Sequence, residues 1–351
     1  MNNPLLELYS DYLISSFALT TATGLSRLLD NAFSHDQITR FLAGADYTSR
    51  DLWALVKPAV RAVETDDGVL IFDDTLQEKP HSDENEIIAW HFDHGTNRAV
   101  KGVNILNGLY HAGGVNVPVA FEIVRKDLPY CEVATRKLKR HSSITKNEHL
   151  RQMLRVCQHN PLRYRYVLAD NWFSSKENMA FIKVDMGKDF VMSLKSNRTV
   201  ALSLEDKRQG RFVRVDALPL EENTVVQVYI KGLSFPVLLA KQVFTNKDGS
   251  IGVLYLVTSD LLLDYDRLTA IYQKRWSVEV FHKSIKSNTG LARSPTHTVR
   301  TQSNHFFASI YAFFKLELLK LKHQMNHFAL RSKLYLKALQ ASFAELQRLG
   351  A

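Results

Sequence analysis

Cysteine is almost missing from this chain of 351 residues: only Cys131 and Cys157 occur. Two thiols without paired spacing exclude a disulfide framework and a structural zinc site, and point to a reducing compartment. Also lacking is any run of about 18 apolar residues free of charge, and the opening MNNPLLELYSDYL has no cationic stretch leading into an apolar one. A soluble, cytoplasmic chain without a membrane partner is expected. No repeat or low-complexity tract is present, and 45% hydrophobic with 23% charged residues is the balance of a globular protein. Collagen-like, mucin-like and disordered classes are excluded. At roughly 150 residues per domain, the length suits two folding units, or one carrying a large insertion.

Acidic residues are scarce in one place. Residues 136–165 hold nine Lys or Arg against the single acid Glu148, within a chain whose formal charge is +9. Such a block attracts polyanions by releasing their condensed counterions, so nucleic acid is the first partner to consider beside a merely solvated basic face. Residues 1–67 run the other way, with five basic and nine acidic side chains.

The periodicity of apolar residues divides the chain into four segments. Residues 1–66 read as a small all-helical unit, with Ser34 capping a short helix that stops at Gly44. Residues 67–199 read as an α/β unit in the order β, β, β, α, β, α, β, its first three strands forming an antiparallel meander around Gly113 and Gly114. Its helix over 146–158 is followed by the strand YRYVLAD. Residues 200–260 read as a β insertion of four short strands. Residues 261–351 begin with one long helix from about Asp264 to Ser287 and end in a helical region. There Phe306, Phe307, Ile310, Tyr311, Phe313 and Phe314 fall at helical spacing, as core or subunit packing.

Three acids sit where chemistry is expected. Asp73 and Asp74 close the first strand, GVLIFDDT, and Asp170 closes YRYVLAD. If these strands pair in parallel, their ends lie about 5 Å apart. Because neighbouring strand residues face opposite sides, only one of Asp73 and Asp74 can share a face with Asp170. Periodicity alone leaves that choice open. On the long helix, at about 100° per residue, Tyr272, Arg275, Glu279, Lys283 and Lys286 share one narrow face. A face with one acid, three cations and a tyrosine departs from the apolar stripe of a core helix, although i to i+4 pairing on a solvated face would also produce it. Converging carboxylates are hard ligands suited to Mg²⁺ or Mn²⁺, and two such ions promote in-line displacement at phosphorus.

IFDDT, LADNWFSS and the spacing Tyr272-x2-Arg275-x3-Glu279-x6-Lys286 resemble the DDE transposases of bacterial insertion sequences, in the branch with a Y-R-E-K signature and a β insertion before the glutamate. WHFDHGTNRAVKGVN and SHDQITRFLAG…YTSRDLW are similar to the same branch, so the resemblance spans nearly the whole chain. It implies a ribonuclease H-like mixed sheet with a β-strand insertion, preceded by the helical segment. It further implies catalytic, metal-holding roles for Asp74, Asp170 and Glu279, with Asp73 as the alternative first acid. Tyr272, Arg275 and Lys286 would contact phosphates of double-stranded DNA at the element's end, with Lys283 and Arg40 as further DNA-contact candidates. Mg²⁺, replaceable by Mn²⁺, would serve nicking at the ends and transfer of the 3′-hydroxyls into target DNA, often through a hairpin. The helical segment would bind the terminal inverted repeats, and a homodimer would pair the two ends.

A structure-specific endonuclease on the same fold would need the same acids, and a silent DNA-binding regulator would need none. The filled signature and the insertion favour the transposase. Ser34 to Gly44 could open a helix-turn-helix, which the acidic balance of that segment disfavours. His91, Asp93 and His94 could be read as a metal cluster, but suit surface or DNA-contacting roles better. Trp172 and Trp276 could stack on an extruded base, although core packing beside the site is the expected use.

Overall fold

Side-chain caps set the first helices of the computed structural model, which describes residues 3–93, 95–246 and 248–350. Asn3 accepts from the amides of Leu5 and Leu6 to start α1 (Pro4–Ser15), and Thr21 caps α2 (Ala22–Leu28). Reciprocal bonds of Ser34 with Gln37 and of Thr48 with Asp51 open α3 (His35–Gly44) and α4 (Ser49–Val63). The cap at Ser34 and the stop at Gly44 agree with the sequence expectation.

The meander follows as β1 (Val69–Glu78), β3 (Arg98–Ala112) and β4 (Val115–Ile123), with a short β2 (Ala89–Asp93) that the sequence pattern misses. Gly102 of β3 pairs with Glu78 on one side and Ala89 on the other, so β2 and β4 share the edge of β3 opposite β1. Gly108 faces Phe72 across the ladder. A Cβ there would come within 2.9 Å of the Phe72 ring, so the glycine makes room for the side chain that precedes Asp73. Next, β5 (Leu128–Glu132) and β6 (Lys137–His141) form a separate two-stranded ribbon that the sequence pattern misses, ahead of the helix expected over 146–158.

The crossover is α5 (Lys146–His159), capped by Thr145 and Glu148 and leading into the buried strand β7 (Tyr166–Ala169). Then come α6 (Lys176–Ala180), its π-helical continuation Phe181–Asp185, and β8 (Asp189–Leu194). β1 runs parallel to β7, and β7 to β8, as the crossover argument requires.

The β-rich stretch does not stand apart as a separate sheet. It comprises β9 (Thr199–Ala201), α7 (Leu204–Arg208), β10 (Val213–Arg214), β11 (Val225–Ile230), β12 (Val237–Thr245) and β13 (Ile251–Thr258). β13 pairs antiparallel with β8, which makes one eleven-stranded mixed sheet in the order β10-β9-β11-β12-β13-β8-β7-β1-β3-β2, with β4 also on β3.

The single long helix expected before Ser287 is two. α8 (Tyr265–Gln273) and α9 (Trp276–Asn288) meet at Lys274 and Arg275, which keep right-handed helical angles while the amides of Ser277 and Val278 reach back only three residues. The tightened turn carries Arg275 at its tip.

α10 (Val299–His323) is buried on nearly all sides from Thr301 to Leu316, Phe306, Phe307, Ile310, Tyr311, Phe313 and Phe314 included, so those residues are core. Burying each large side chain contributes roughly 1.5–3 kcal/mol. Tyr9 bonds His305 at 2.9 Å, and Asn304 accepts from the Tyr47 amide at 3.1 Å, tying the N-terminal helices to α10. α11 (His327–Gly350) closes the described chain, its last two-thirds exposed. Among the described residues no helix is long and apolar enough to cross a membrane.

Candidate active site

Parallel pairing places Phe72 beside Ala169, so Asp73 and Asp170 leave adjacent strand ends with the same parity. That register resolves the choice which periodicity leaves open: Asp73 shares a face with Asp170, and Asp74 points the other way. The packing on the two faces agrees. On the α9 side, Arg275 Nη1 lies 3.1 Å from Asp73 Oδ2 and its guanidinium 3.5 Å from Glu279. On the α5 side, Asp74 accepts from Asn104 and pairs with Lys146 Nζ at 2.7 Å.

Asp73, Glu279 and His282 bring one potential ligand atom each within 4.8 Å of one another, a grouping suited to a metal ion. Asn107, the partner of Asp73 across the ladder, is 3.2 Å from His282 Nε2 and helps orient the ring. Burial, with Lys286 nearby, pushes the His282 imidazole down to about 3, so it is neutral and able to act as a ligand. Burial, then the charges of Asp170, Asp74 and Glu279, push Asp73 up to about 7 against the pull of Arg275. Burial also raises Asp170, although its Oδ1 accepts from the Trp172 amide at 2.9 Å. Carboxylates that resist ionising together gain most from a cation placed between them.

These side chains line two adjoining cavities. The larger, about 890 Å³, holds Asp73, Asp74, Asp170, Arg275 and Glu279 with Lys146 and Lys195. The smaller, about 430 Å³, is lined by Asp74, Glu279, His282, Lys283 and Lys286. Half-buried Tyr272 stacks 5.7 Å from the Arg275 guanidinium, behind the acids. Burial lowers the Lys286 ammonium and raises the Tyr272 phenol. Arg40 stands exposed on α3, which contributes no residue to either cavity.

The sequence model of the DDE superfamily endonucleases matches residues 4–226. The chain belongs to that family. Among solved structures, a Drosophila P element transposase strand transfer complex is similar at 11% identity and a TM-score of 0.28, covering 58% of this chain and 46% of that one. That likeness is too slight to argue from, and the chain spans less than half the length of that protein. A comparison with curated proteins gives no match. The family match includes Asp73, Asp74 and Asp170 but ends before Arg275, Glu279 and Lys286, so the third acid rests on geometry.

Sequence reasoning missed His282, Lys146 and Asn107. A signal existed for His282, three residues after Glu279 and so on a neighbouring helix face, whereas Lys146 was lost in the basic block. Two expectations are corrected. Trp172 and Trp276 are 45% and 66% exposed rather than packed in the core: Trp172 follows the end of β7 and lines the larger cavity, while Trp276 opens α9 and lines neither. His91 is buried rather than on the surface, and burial holds its imidazole near 3, while Asp93 folds back on Gly95 and Thr96. His94 lies outside the described residues. Among the described residues, the metal-suited group is the one at Glu279 and not at His91.

Proposed function

We propose that this DDE endonuclease is a cut-and-paste transposase with a ribonuclease H-type core, cleaving double-stranded DNA at its element's ends and joining the 3′-hydroxyls to a target. The observation that carries the reading is the convergence of Asp73, Asp170 and Glu279 around Arg275 at one end of the sheet. In this proposal Asp73 takes the first role that the resemblance assigns to Asp74, since Asp74 is turned toward Lys146 and Asn104.

The donor set fits a hard divalent cation, Mg²⁺ or Mn²⁺, held by Asp73, Asp170 and Glu279 with neutral His282 beside them. When bound, such an ion polarises phosphoryl oxygens and makes water or a hydroxyl nucleophilic at neutral pH. The chain's own cations do the positioning. Lys283 and Lys286 line the smaller cavity and Lys146 the larger, so a phosphodiester backbone laid across Glu279 meets positive charge on both sides. Arg275, bridging Asp73 and Glu279, keeps the acids aligned and presents its remaining donors to phosphate.

The test is cleavage of labelled linear DNA carrying the flanking ends of the gene, with Mg²⁺ or Mn²⁺ and with EDTA, beside the Glu279→Gln protein. Metal-dependent cuts at the element boundary, lost in the variant, are expected. Cuts placed by DNA shape would favour a structure-specific nuclease, and binding without cutting a regulator.

A homodimer is part of this proposal, supported by α11. Leu336, Leu339, Phe343 and Leu346 follow the 3-4-3 spacing of a helix seam, and all four are exposed. The double substitution Leu339→Arg and Phe343→Arg should leave a folded monomer in light scattering that binds one end but no longer cuts two ends in concert. A variant that remains dimeric would move the interface elsewhere.

A further inference from the structure

Beside the catalytic cleft lies a second groove, of about 640 Å³, between β2 and the β5–β6 ribbon. Its walls carry Trp90, Phe92 and Tyr130, all more than 40% exposed, together with Lys126, Lys137 and Arg140. Trp90 and Phe92, two residues apart on β2, project to the same side, while His91 between them is buried. Tyr130 stands on β5, where His141 of β6 packs edge-on at 5.4 Å. Phe92 and Lys126 line both this groove and the cleft of Asp73, so the two are continuous. Glu84 is the one acid among the lining residues.

We infer that this groove binds unpaired, single-stranded DNA running away from the catalytic acids, with bases stacked on Trp90 and Tyr130 and phosphates on the ribbon's cations. The chemistry discriminates between occupants. A duplex hides its base faces and needs only cations from the protein, whereas an unpaired strand offers a π-face at every base and a phosphate at every step. Exposed rings interleaved with lysine and arginine match the second pattern. The inference rests on the proposal that the chain processes DNA and names a further substrate form, the strand separated at the cut.

The test uses fluorescein-labelled dT12 and a blunt 12-base-pair duplex, bound in EDTA so that cleavage plays no part and read by anisotropy. Trp90→Ala and Tyr130→Ala should each weaken dT12 binding about five- to a hundredfold while changing duplex binding less than twofold. Trp90→Phe, which keeps a stacking ring, should recover most of the loss. Both side chains are exposed, so the melting temperature should hold. Unchanged dT12 affinity in both alanine variants, or equal losses for dT12 and duplex, would overturn the inference. Because the readout is binding alone, a protein that cuts no DNA but shows the dT12 losses would sink the transposase reading and leave the groove standing. A protein that cuts DNA and binds dT12 regardless of Trp90 and Tyr130 would do the reverse.

Discussion

Asp73→Asn is expected to lower the rate of DNA cleavage by about a thousandfold or more, whereas Asp74→Asn should cost less than about tenfold. The asymmetry follows from the sheet. Asp73 leaves β1 on the face that receives Asp170 and α9, where removing one charge removes a ligand from the group that includes Glu279 and His282. Asp74 leaves on the opposite face, where its loss frees Lys146, a cation still able to meet phosphate. Asp170→Asn and Glu279→Gln should resemble Asp73→Asn. All these variants should bind end DNA within about threefold of the unaltered protein, since cations carry the phosphate contacts. End-labelled duplex cleaved in Mg²⁺ and in Mn²⁺, with binding measured separately in EDTA, checks both halves. If Asp74→Asn is the dead variant and Asp73→Asn cuts, the first role returns to Asp74, and the face argument fails with it.

How far the site was legible in the sequence depends on which relations are local. Strand-end acids and the helical face of Arg275, Glu279 and Lys286 are visible because periods of 2 and 3.6 are properties of one segment. The choice between Asp73 and Asp74 needs the register of β1 against β7, a relation between residues almost a hundred apart that no single segment encodes. β2 and the β5–β6 ribbon were missed because five-residue strands rich in charge and aromatics carry little alternation. The β-rich stretch was found, but its union with the main sheet hangs on the β13–β8 pairing, which composition does not specify. The break at Lys274 and Arg275 has no glycine or proline to announce it. Trp172 and Trp276 were read inward because large aromatic residues usually are buried. Trp172, two residues after Asp170, lines the cleft instead, with Lys146 and Lys195 at 5.6 and 5.2 Å from its ring, and Trp276 is exposed at the start of α9.

The crowding of acids at the proposed active site should also be measurable as instability. Asp73 keeps its proton in the folded protein up to about pH 7, against 3.8 for the ordinary carboxyl. Between those values the folded state binds more protons than the unfolded one, so this group's contribution to stability is full below about pH 4 and is lost as the pH rises to 7. The whole-protein profile will not show this directly, because buried His91, His282 and His305, pushed down to about 3, 3 and 4, act in the opposite sense as the pH rises toward 6.5. Comparison with Asp73→Asn isolates the effect. In EDTA, the variant should gain stability over the unaltered protein steadily from pH 4 to 7, by on the order of 4 kcal/mol, and hold that gain above pH 7. Mg²⁺ should then reverse the order at pH 7.5, raising the melting temperature of the unaltered protein with concentration and leaving Asp73→Asn nearly unmoved. Denaturant unfolding at several pH values, followed by thermal scans with Mg²⁺, reads both effects. An advantage for Asp73→Asn that is the same at pH 4.5 and 8 would show that Asp73 does not carry the repulsion. Equal Mg²⁺ stabilisation of both proteins would place the ion away from Asp73, whatever the cleavage assays report.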